Sequence, residues 1–527
     1  MKYSVLIFLF LFQQNLLGQS TFNLEYIDNE FNSSGVQVFE FENYYYLVSR
    51  SLYLADIATN GTTVRKVDTQ GNEVDFVLLN NANKGFSTNL YGCGIMSDGT
   101  IVVAGTTLVD DVEHIVLQRV SSELELIGDA FEFASPYNPN LMDEEFELIR
   151  PSAVYIDDEN NVYLAAIIYD GNFDGFDVLF CKLNSDLQLS WEYIHEVPGD
   201  QVVYSISVLD DILYSFQMGE FDFEENSLEK RLIKIGEDDN GQPYITANIF
   251  IDFYEANRIN EAMWDDGGFV ITGARIDNLA LENSPIVFKI NIDGLYQWYS
   301  EPTLPFHDEN QTYFGVARAH GGGYVCVGRE FDYGDNEQGW EYDADTFGNF
   351  SKHTELGTLE WHRRFTIIES CDEIHAFFDV VHIEDGYLIY GTRADYCIDQ
   401  NWESVYPRER SWLVKTDECG CIVPGCGEKD CFIGLDEETP DQLNILLYPN
   451  PSNDYCSIYI PEGFQSQYLQ VFNSLGQLII EKNGLVDDTT YIIPVSSWEN
   501  GIYILNVVSE NNVVESHKIE VLSPGIH

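Results

Sequence analysis

Asp170, Asn172 and Asp174 stand at alternate positions in the stretch DGNFDG, followed by Gly175 and then Asp177. Hard cations take several carboxylate and carbonyl oxygens, and a glycine lets the chain wrap around them, so this is the beginning of a calcium loop. The twelfth position, where an EF-hand carries Glu, is Cys181. The competing reading is an acidic hairpin tip between two strands. A second run of carboxylates, DYGDNEQGWEYDAD from Asp332 to Asp345, reads either as a long functional loop or as a solvated one. HGGG, His320 to Gly323, has the outline of a lipase oxyanion-hole motif, but DDGG and EDG occupy the corresponding place elsewhere, which makes it a turn. There is no G-x-S-x-G elbow and no H-E-x-x-H helix, and the ten histidines are scattered. Among so many acids a chance carboxylate pair says little, and a glycosidase dyad assembled by the fold stays open. Cys419, Cys421, Cys426 and Cys431 form a tight cluster, suited to a four-thiolate zinc site or to disulfides.

The composition narrows the compartment and the partners. The chain has 527 residues with a net charge of −62, from 88 acidic and 26 basic side chains. Such a surface repels phosphate backbones and anionic headgroups, which excludes nucleic acid as a partner. The acidity fits a saline habitat, bound calcium or a merely solvated surface. The first residues, MKYSVLIFLFLFQQNLLGQS, give a basic Lys2, an apolar core from Val5 to Phe12 and a small-residue cleavage context, a signal peptide over 1–19. That run is too short to span a bilayer, and no later segment is longer, so no transmembrane segment is expected. Export places the ten cysteines in an oxidising compartment, which favours disulfides over zinc, with Cys421–Cys426 the most natural pair although other pairings stay open.

A repeat organises the rest. KLNSDLQLSW, KINIDGLYQW and KHTELGTLEW, beginning at Lys182, Lys289 and Lys352, each carry a turn and a Trp nine positions after the Lys. Extended by its basic residue alone, the mark falls at Lys66, Arg119, Lys182, Lys234, Lys289, Lys352 and Lys415, at intervals of 52 to 63 residues. A turn followed by a β-rich run precedes each mark, as in SDGTIVVAG at Ser97 and DDGGFVITG at Asp265. Two landmarks in one order at one period mean a repeated unit of short strands. The expected fold is all-β: a β-propeller of about seven blades over 20–432, with the Trp on an outer strand between blades and the Lys before the turn into it. The segment near Thr21 to Ile27 resembles the outer strand after Lys182 and is expected to complete the last blade, leaving no open edge.

The lysine, turn and tryptophan phrase resembles the repeats of propeller-like proteins exported by type IX secretion. The sharper resemblance lies at the end of the chain. NILLYPNPSNDYCSIYI, LQVFNSLGQLII, WENGIYILNVV and HKIEV are similar to the type A sorting domain of type IX cargo. Its motif falls on Tyr448, Pro449, Asn450 and Pro451, on Gly476, on Gly501 and Tyr503 in the GIY segment, and on Lys518. The resemblance implies a small β-sandwich over 445–523, behind an acidic linker at 433–444. It also implies that the type IX machinery carries the protein across the outer membrane of a Gram-negative bacterium, to be released or held on the cell surface. Within that frame two functions compete. One is a binding or adhesion propeller for a glycan or a protein, favoured by the absence of catalytic motifs and by abundant Tyr and Phe. The other is a polysaccharide hydrolase or lyase whose carboxylates converge on the channel.

Overall fold

The computed structural model describes residues 21–26, 31–53, 61–79, 86–109, 112–134, 149–169, 176–196, 201–222, 227–251, 258–277, 282–302, 311–332, 345–367, 372–396, 408–422, 445–461, 463–509 and 514–522. Among these residues there is no helix. They fall into two compact units: one takes in Glu25–His382 and Ile389–Trp412, the other the residues before Glu25, Ile383–Leu388 and those from Leu413 on.

The first unit is built of antiparallel sheets of four strands that follow one another along the chain. β1 (Phe22–Tyr26) opens the described chain. β2 (Phe31–Phe41), β3 (Tyr44–Tyr53), β4 (Gly61–Asp68) and β5 (Glu73–Leu79) pair in that order. The same order holds for β6 (Cys93–Ile95), β7 (Ile101–Val109), β8 (Val112–Val120) and β9 (Leu126–Ala134). It holds again for β10 (Ile149–Ile156), β11 (Val162–Tyr169), β12 (Phe176–Leu183) and β13 (Leu189–His195), and for β14 (Val202–Leu209), β15 (Ile212–Asp222), β16 (Ser227–Glu237) and β17 (Pro243–Phe250). β18 (Arg258–Asp265), β19 (Gly268–Asp277), β20 (Glu282–Asn291) and β21 (Tyr296–Ser300) repeat it, as do β22 (Thr312–Arg318), β23 (Tyr324–Asp332), β24 (Asp345–His353) and β25 (Leu359–Ile367). β26 (Asp372–Ile383), β27 (Gly386–Tyr396) and β28 (Arg408–Thr416) pair differently, in the order β1–β28–β27–β26, so the first strand of the chain takes the fourth place.

Burial follows place in the sheet. The second strands are covered on both faces and read as continuous apolar runs, such as VYLAAII from Val162 to Ile168, buried throughout. The fourth strands keep one face in solvent, and β17 alternates half-buried and exposed along its whole length. Between successive sheets the apolar faces interlock: Val102, Ala104 and Leu117 pack with Leu164, Ala166 and Leu179, and Tyr214 and Phe216 with Phe269 and Ile271.

The repeated phrase acquires a local cause. Two residues after the basic mark stands Asp68, Ser121, Asn184, Asn291, Thr354 or Asp417, whose side-chain oxygen accepts the N–H groups two and four positions on. Asp238 does the same in the one repeat where the strand runs two residues longer. The position three after this cap has positive φ, filled by Gly71, Gly241, Gly294, Gly357 and Gly420, and by Leu124 and Leu187. This tight turn brings the Trp opposite the Lys on the next strand, and Lys182↔Trp191, Lys289↔Trp298 and Lys352↔Trp361 are all register partners. Trp191 packs with Val203 and Ile206 of the next sheet, and Trp298 lies 5.7 Å from Tyr324 of the next. Trp361 instead meets Phe350 of its own sheet at 5.0 Å. The basic residues also reach the following repeat: Lys66 to Glu123 at 2.9 Å, Arg119 to Asp186 at 2.9 Å and Lys182 to Glu237 at 2.6 Å.

The second unit holds two smaller sheets. β29 (Leu446–Tyr448), β30 (Tyr455–Ile460) and β33 (Thr489–Pro494) pair in the order β29–β30–β33. β31 (Ser466–Phe472), β32 (Leu478–Asn483), β34 (Gly501–Ser509) and β35 (Val514–Val521) pair in the order β32–β31–β34–β35. Ile458, Ile460, Ile493, Leu469, Val471, Leu505 and Ile519 are fully buried.

The place of β1 carries a buried ion pair. Glu25 accepts from Arg393 Nη1 at 2.5 Å and from Arg410 Nη1 at 3.2 Å, with the side chains of Glu25 and Arg393 almost wholly buried. Removing one partner of such a set strands the others in the interior. Glu25→Ala is expected to destabilise the protein by about 3–5 kcal/mol in chemical denaturation. Deleting Thr21–Tyr26 should lower Tm further, and an unchanged melt would show that β1 does not complete its sheet in solution.

Candidate functional site

The first strand of each sheet has an unpaired edge, and its N–H groups need acceptors. The sequence meets this need with a one-residue bulge. Register slips occur at Gly35/Gln37 in β2, Pro151/Ala153 in β10, Val203/Ser205 in β14, Ile259/Glu261 in β18 and Tyr313/Gly315 in β22. A bulge re-aims the side chain that follows it, and in β2, β14 and β18 that side chain reaches the first strand of a neighbouring sheet. Gln37 Oε1 accepts from the Cys93 N–H at 2.8 Å, and Glu261 Oε2 from the Val316 N–H at 2.7 Å. Asp379 of β26 accepts from the Val38 N–H at 2.8 Å, returning to the first sheet. Ser205 Oγ donates to the Ala262 carbonyl at 3.4 Å. At the corresponding glycine, Gly315, a Cβ would come within 2.8 Å of the Phe378 carbonyl oxygen.

These strands enclose a cavity of about 320 Å³. Its polar lining comes from Gln37, Tyr91, Tyr155, Ser205, Ser207 and Glu261, its apolar lining from Ala153, Val154, Ile206, Ala262, Met263 and Trp264. Tyr91 crosses toward the sheet opposite, where its hydroxyl donates to the Phe314 carbonyl at 2.8 Å. The volume lies at the lower end of the range for small-molecule sites, about 300–1,000 Å³.

The electrostatics of this region are unusual for so acidic a protein. Glu261 and Asp379, from different sheets, lie close enough to repel each other. Burial, then the neighbouring Asp379 charge, pushes the Glu261 carboxyl well above its ordinary range. Burial raises Asp379 to about 6, although N–H groups of Val38 and Val380 pull it down. Tyr91 is pushed up by burial and then by the Glu261 and Asp379 charges. The pair therefore keeps a proton more readily than two solvated carboxylates do.

A second constellation has the connectivity of a hydrolase triad. Tyr313 donates to Ser351 Oγ at 2.9 Å, Ser351 Oγ lies 2.8 Å from His362 Nδ1, and His362 Nε2 lies 3.1 Å from Glu330 Oε2. Arg364 also pairs with Glu330. Burial alone would raise the Glu330 carboxyl, but the Arg364 and His362 charges overcome it and hold it at about 2. Ser351 and Tyr313 have no solvent exposure, so a substrate has no route to this hydroxyl. The chain is a polar spine within one sheet. Its spacing spreads over four strands, which is why no local motif announced it.

The residues singled out in the sequence fare unequally. His320–Gly323 forms the turn between β22 and β23, with Gly321, Gly322 and Gly323 all at positive φ. Asp170, Asn172 and Asp174 lie outside the described residues, as do 333–344 of the second carboxylate run, the proposed linker and 1–20. Cys419 and Cys421 are disulfide-bonded, while Cys426 and Cys431 lie outside the described residues. Cys93, Cys181, Cys326 and Cys456 are free and buried. No cluster of three or more metal-ligating side chains occurs among the described residues. No described helix is long and apolar enough to cross a membrane, which leaves strand-built spans untested.

The terminal motif is brought together as a clamp. Asn450 Nδ2 donates to the Lys518 carbonyl at 2.6 Å, and Asn450 Oδ1 accepts from the Glu520 N–H at 2.8 Å, tying the segment after β29 to β35. Tyr448–Pro449 and Asn450–Pro451 are cis. Gly476 closes the turn capped by Asn473, Gly501 begins β34, and the Tyr503 hydroxyl donates to the Glu499 carbonyl at 3.0 Å. The Lys518 side chain stays half exposed beside Glu520.

Residues 446–521 match the secretion system C-terminal sorting domain. The chain is thereby cargo of type IX secretion, exported across the outer membrane to the cell surface or beyond. No curated protein matches the chain. Among solved structures it resembles the β-propeller domain of the trilobed protease from Pyrococcus furiosus, at 8% identity and a TM-score of 0.41 over 75% of this chain and 97% of that one. It also resembles the polysaccharide lyase Uly1, at 10% identity and 0.40 over 76% and 100%. Against an acylaminoacyl peptidase from Pyrococcus horikoshii the identity is 11% and the TM-score 0.38, over 88% of this chain and 65% of that one. The chain thus spans about two thirds of the peptidase's length. The described residues are all-β, in repeated four-stranded sheets, and likenesses this distant carry no activity across.

The carboxylate pair makes a measurable prediction. Both groups hold their protons more tightly folded than unfolded, so their contribution to stability falls as pH rises from about 4 through about 6. Glu261→Gln keeps an acceptor for the Val316 N–H and removes the repulsion. Its Tm should exceed that of the unsubstituted protein by a few degrees near pH 8, with the gain vanishing near pH 4. An equal gain at both pH values would show that the two carboxylates do not interact.

Proposed function

We propose that this protein is an exported binding propeller of seven blades, which takes a glycan-type ligand in the cavity between its inner strands. The reading assigns the signal peptide to 1–19, the propeller to 20–432, the linker to 433–444 and the sorting domain to 445–523. Support for the blade count comes from the repeated four-strand order and from the bond by which Asp379 returns to Val38. The disulfides at Cys419 and Cys421 fit an oxidising destination.

The observation that carries the binding reading is the lining. Trp264, Tyr91 and Tyr155 offer faces on which sugar rings stack, and Gln37, Ser205, Ser207 and Glu261 offer groups for hydroxyls. The alternative, a polysaccharide hydrolase or lyase, would draw its acid and base from Glu261 and Asp379. Asp379 speaks against it, because each of its oxygens already accepts a backbone N–H, from Val38 and from Val380. A carboxylate so committed holds strands together and is poorly placed to move protons to a substrate.

The test mixes the purified full chain with a panel of soluble polysaccharides and reads gel retardation and polymer size in the same samples. Retardation with intact polymer, abolished in Trp264→Ala, is the expected result. Shortened polymer would make the protein an enzyme, and retardation unaffected by Trp264→Ala would move the site away from the cavity.

A further inference from the structure

Glu261 lines the cavity with three aromatic side chains, Tyr91, Tyr155 and Trp264, and the Asp379 carboxyl lies close enough to act on Glu261. Among the described residues, Arg258 weakens the upward push on Tyr91, but it is an exposed residue whose guanidinium lies over the Phe314 ring, 5.9 Å from its centre. Tyr91 is occupied in donating to Phe314. Glu261 uses Oε2 for the Val316 N–H, and a carboxylate oxygen has lone pairs for more than one donor. Aromatic faces and a carboxylate around one small space are the surroundings that favour an organic cation. The net charge of −62 raises the local concentration of any such ligand.

We propose that the ligand taken by this cavity bears a protonated amine, that an amino sugar is its chemical class, and that Glu261 receives the ammonium group with Asp379 supplying the second negative charge. This rests on the reading of the cavity as a glycan site and names what that site selects. A neutral sugar of the same shape would leave two neighbouring carboxylates to share a proton. The ammonium replaces that proton, so binding releases it to solvent.

The experiment titrates the full chain with the β-1,4 disaccharide of glucosamine and with cellobiose, which puts hydroxyls where the former has amines. Calorimetry in two buffers of different ionisation enthalpy reads both affinity and proton release. The amino disaccharide is expected to bind at least about tenfold more tightly, as a charged hydrogen bond gives. Its binding should release a proton near pH 5 and should tighten as pH rises from about 4 to about 6, because Asp379 gives up its proton on approaching about 6 while the amines keep most of their charge. Glu261→Gln should abolish the preference, bringing the affinities for the two disaccharides to within about twofold of each other. Equal affinities, or a preference that survives Glu261→Gln, would overturn the proposal and leave a neutral-glycan site standing. Binding of neither disaccharide, with longer polymers also ignored, would remove the glycan reading itself. The pH profile needs no substitution, so the proposal stays open to refutation even if Glu261→Gln fails to fold.

Discussion

Everything in the larger unit depends on how the free edges of its first strands are satisfied. A strand with nothing beside it exposes a row of N–H and C=O groups, and burying such a row unpaired is costly. Here bulges in three of these strands turn Gln37, Ser205 and Glu261 sideways, and these with Asp379 reach a neighbouring strand's backbone. The strands are thereby held at a fixed spacing around a cavity instead of collapsing onto one another. Two of the four linking side chains are acids in mutual repulsion. The bonds that organise the centre are thus also the source of its charge.

The outer parts of the sheets are joined by other means. Apolar faces interlock between successive sheets, and the capped turn after each third strand sets the height at which the fourth strand returns. The ion pairs from the basic marks are partly exposed, and each adds little on its own. Their regularity records the geometry of the repeat more than it stabilises it. The buried sets differ in kind. Glu25 with Arg393 and Arg410, and Glu330 with Arg364 and His362, sit where a missing partner would leave a charge stranded.

The terminal sorting domain uses a separate device for a related problem. Asn450 presents both an acceptor and a donor to the backbone of β35, so one amide fixes the chain that enters the domain to the strand that ends it. Asparagine suits the place because its side chain mimics a peptide unit, which neither aspartate nor serine does. Pro449 and Pro451 lack N–H groups, and Ser452 next along adds a backbone bridge to the same strand, its N–H donating to the Glu520 carbonyl at 2.7 Å.

The sequence by itself determined the features that are local or periodic. Seven basic marks at 52- to 63-residue intervals followed from turns whose cap and positive-φ residue lie within six positions of one another. The nine-residue spacing of Lys and Trp was legible, and the tight turn between them makes the two register partners. The sorting motif was legible because its residues keep their order and types in a short segment. The carboxylate pair was not: Glu261 and Asp379 are separated by over a hundred residues, and neither carries a local signature among 88 acids. The Tyr313, Ser351, His362 and Glu330 chain was hidden for the same reason, since one residue comes from each of four strands. Turn chemistry is written in neighbours along the chain, whereas a cavity's charge is set by side chains that only sheet stacking brings face to face.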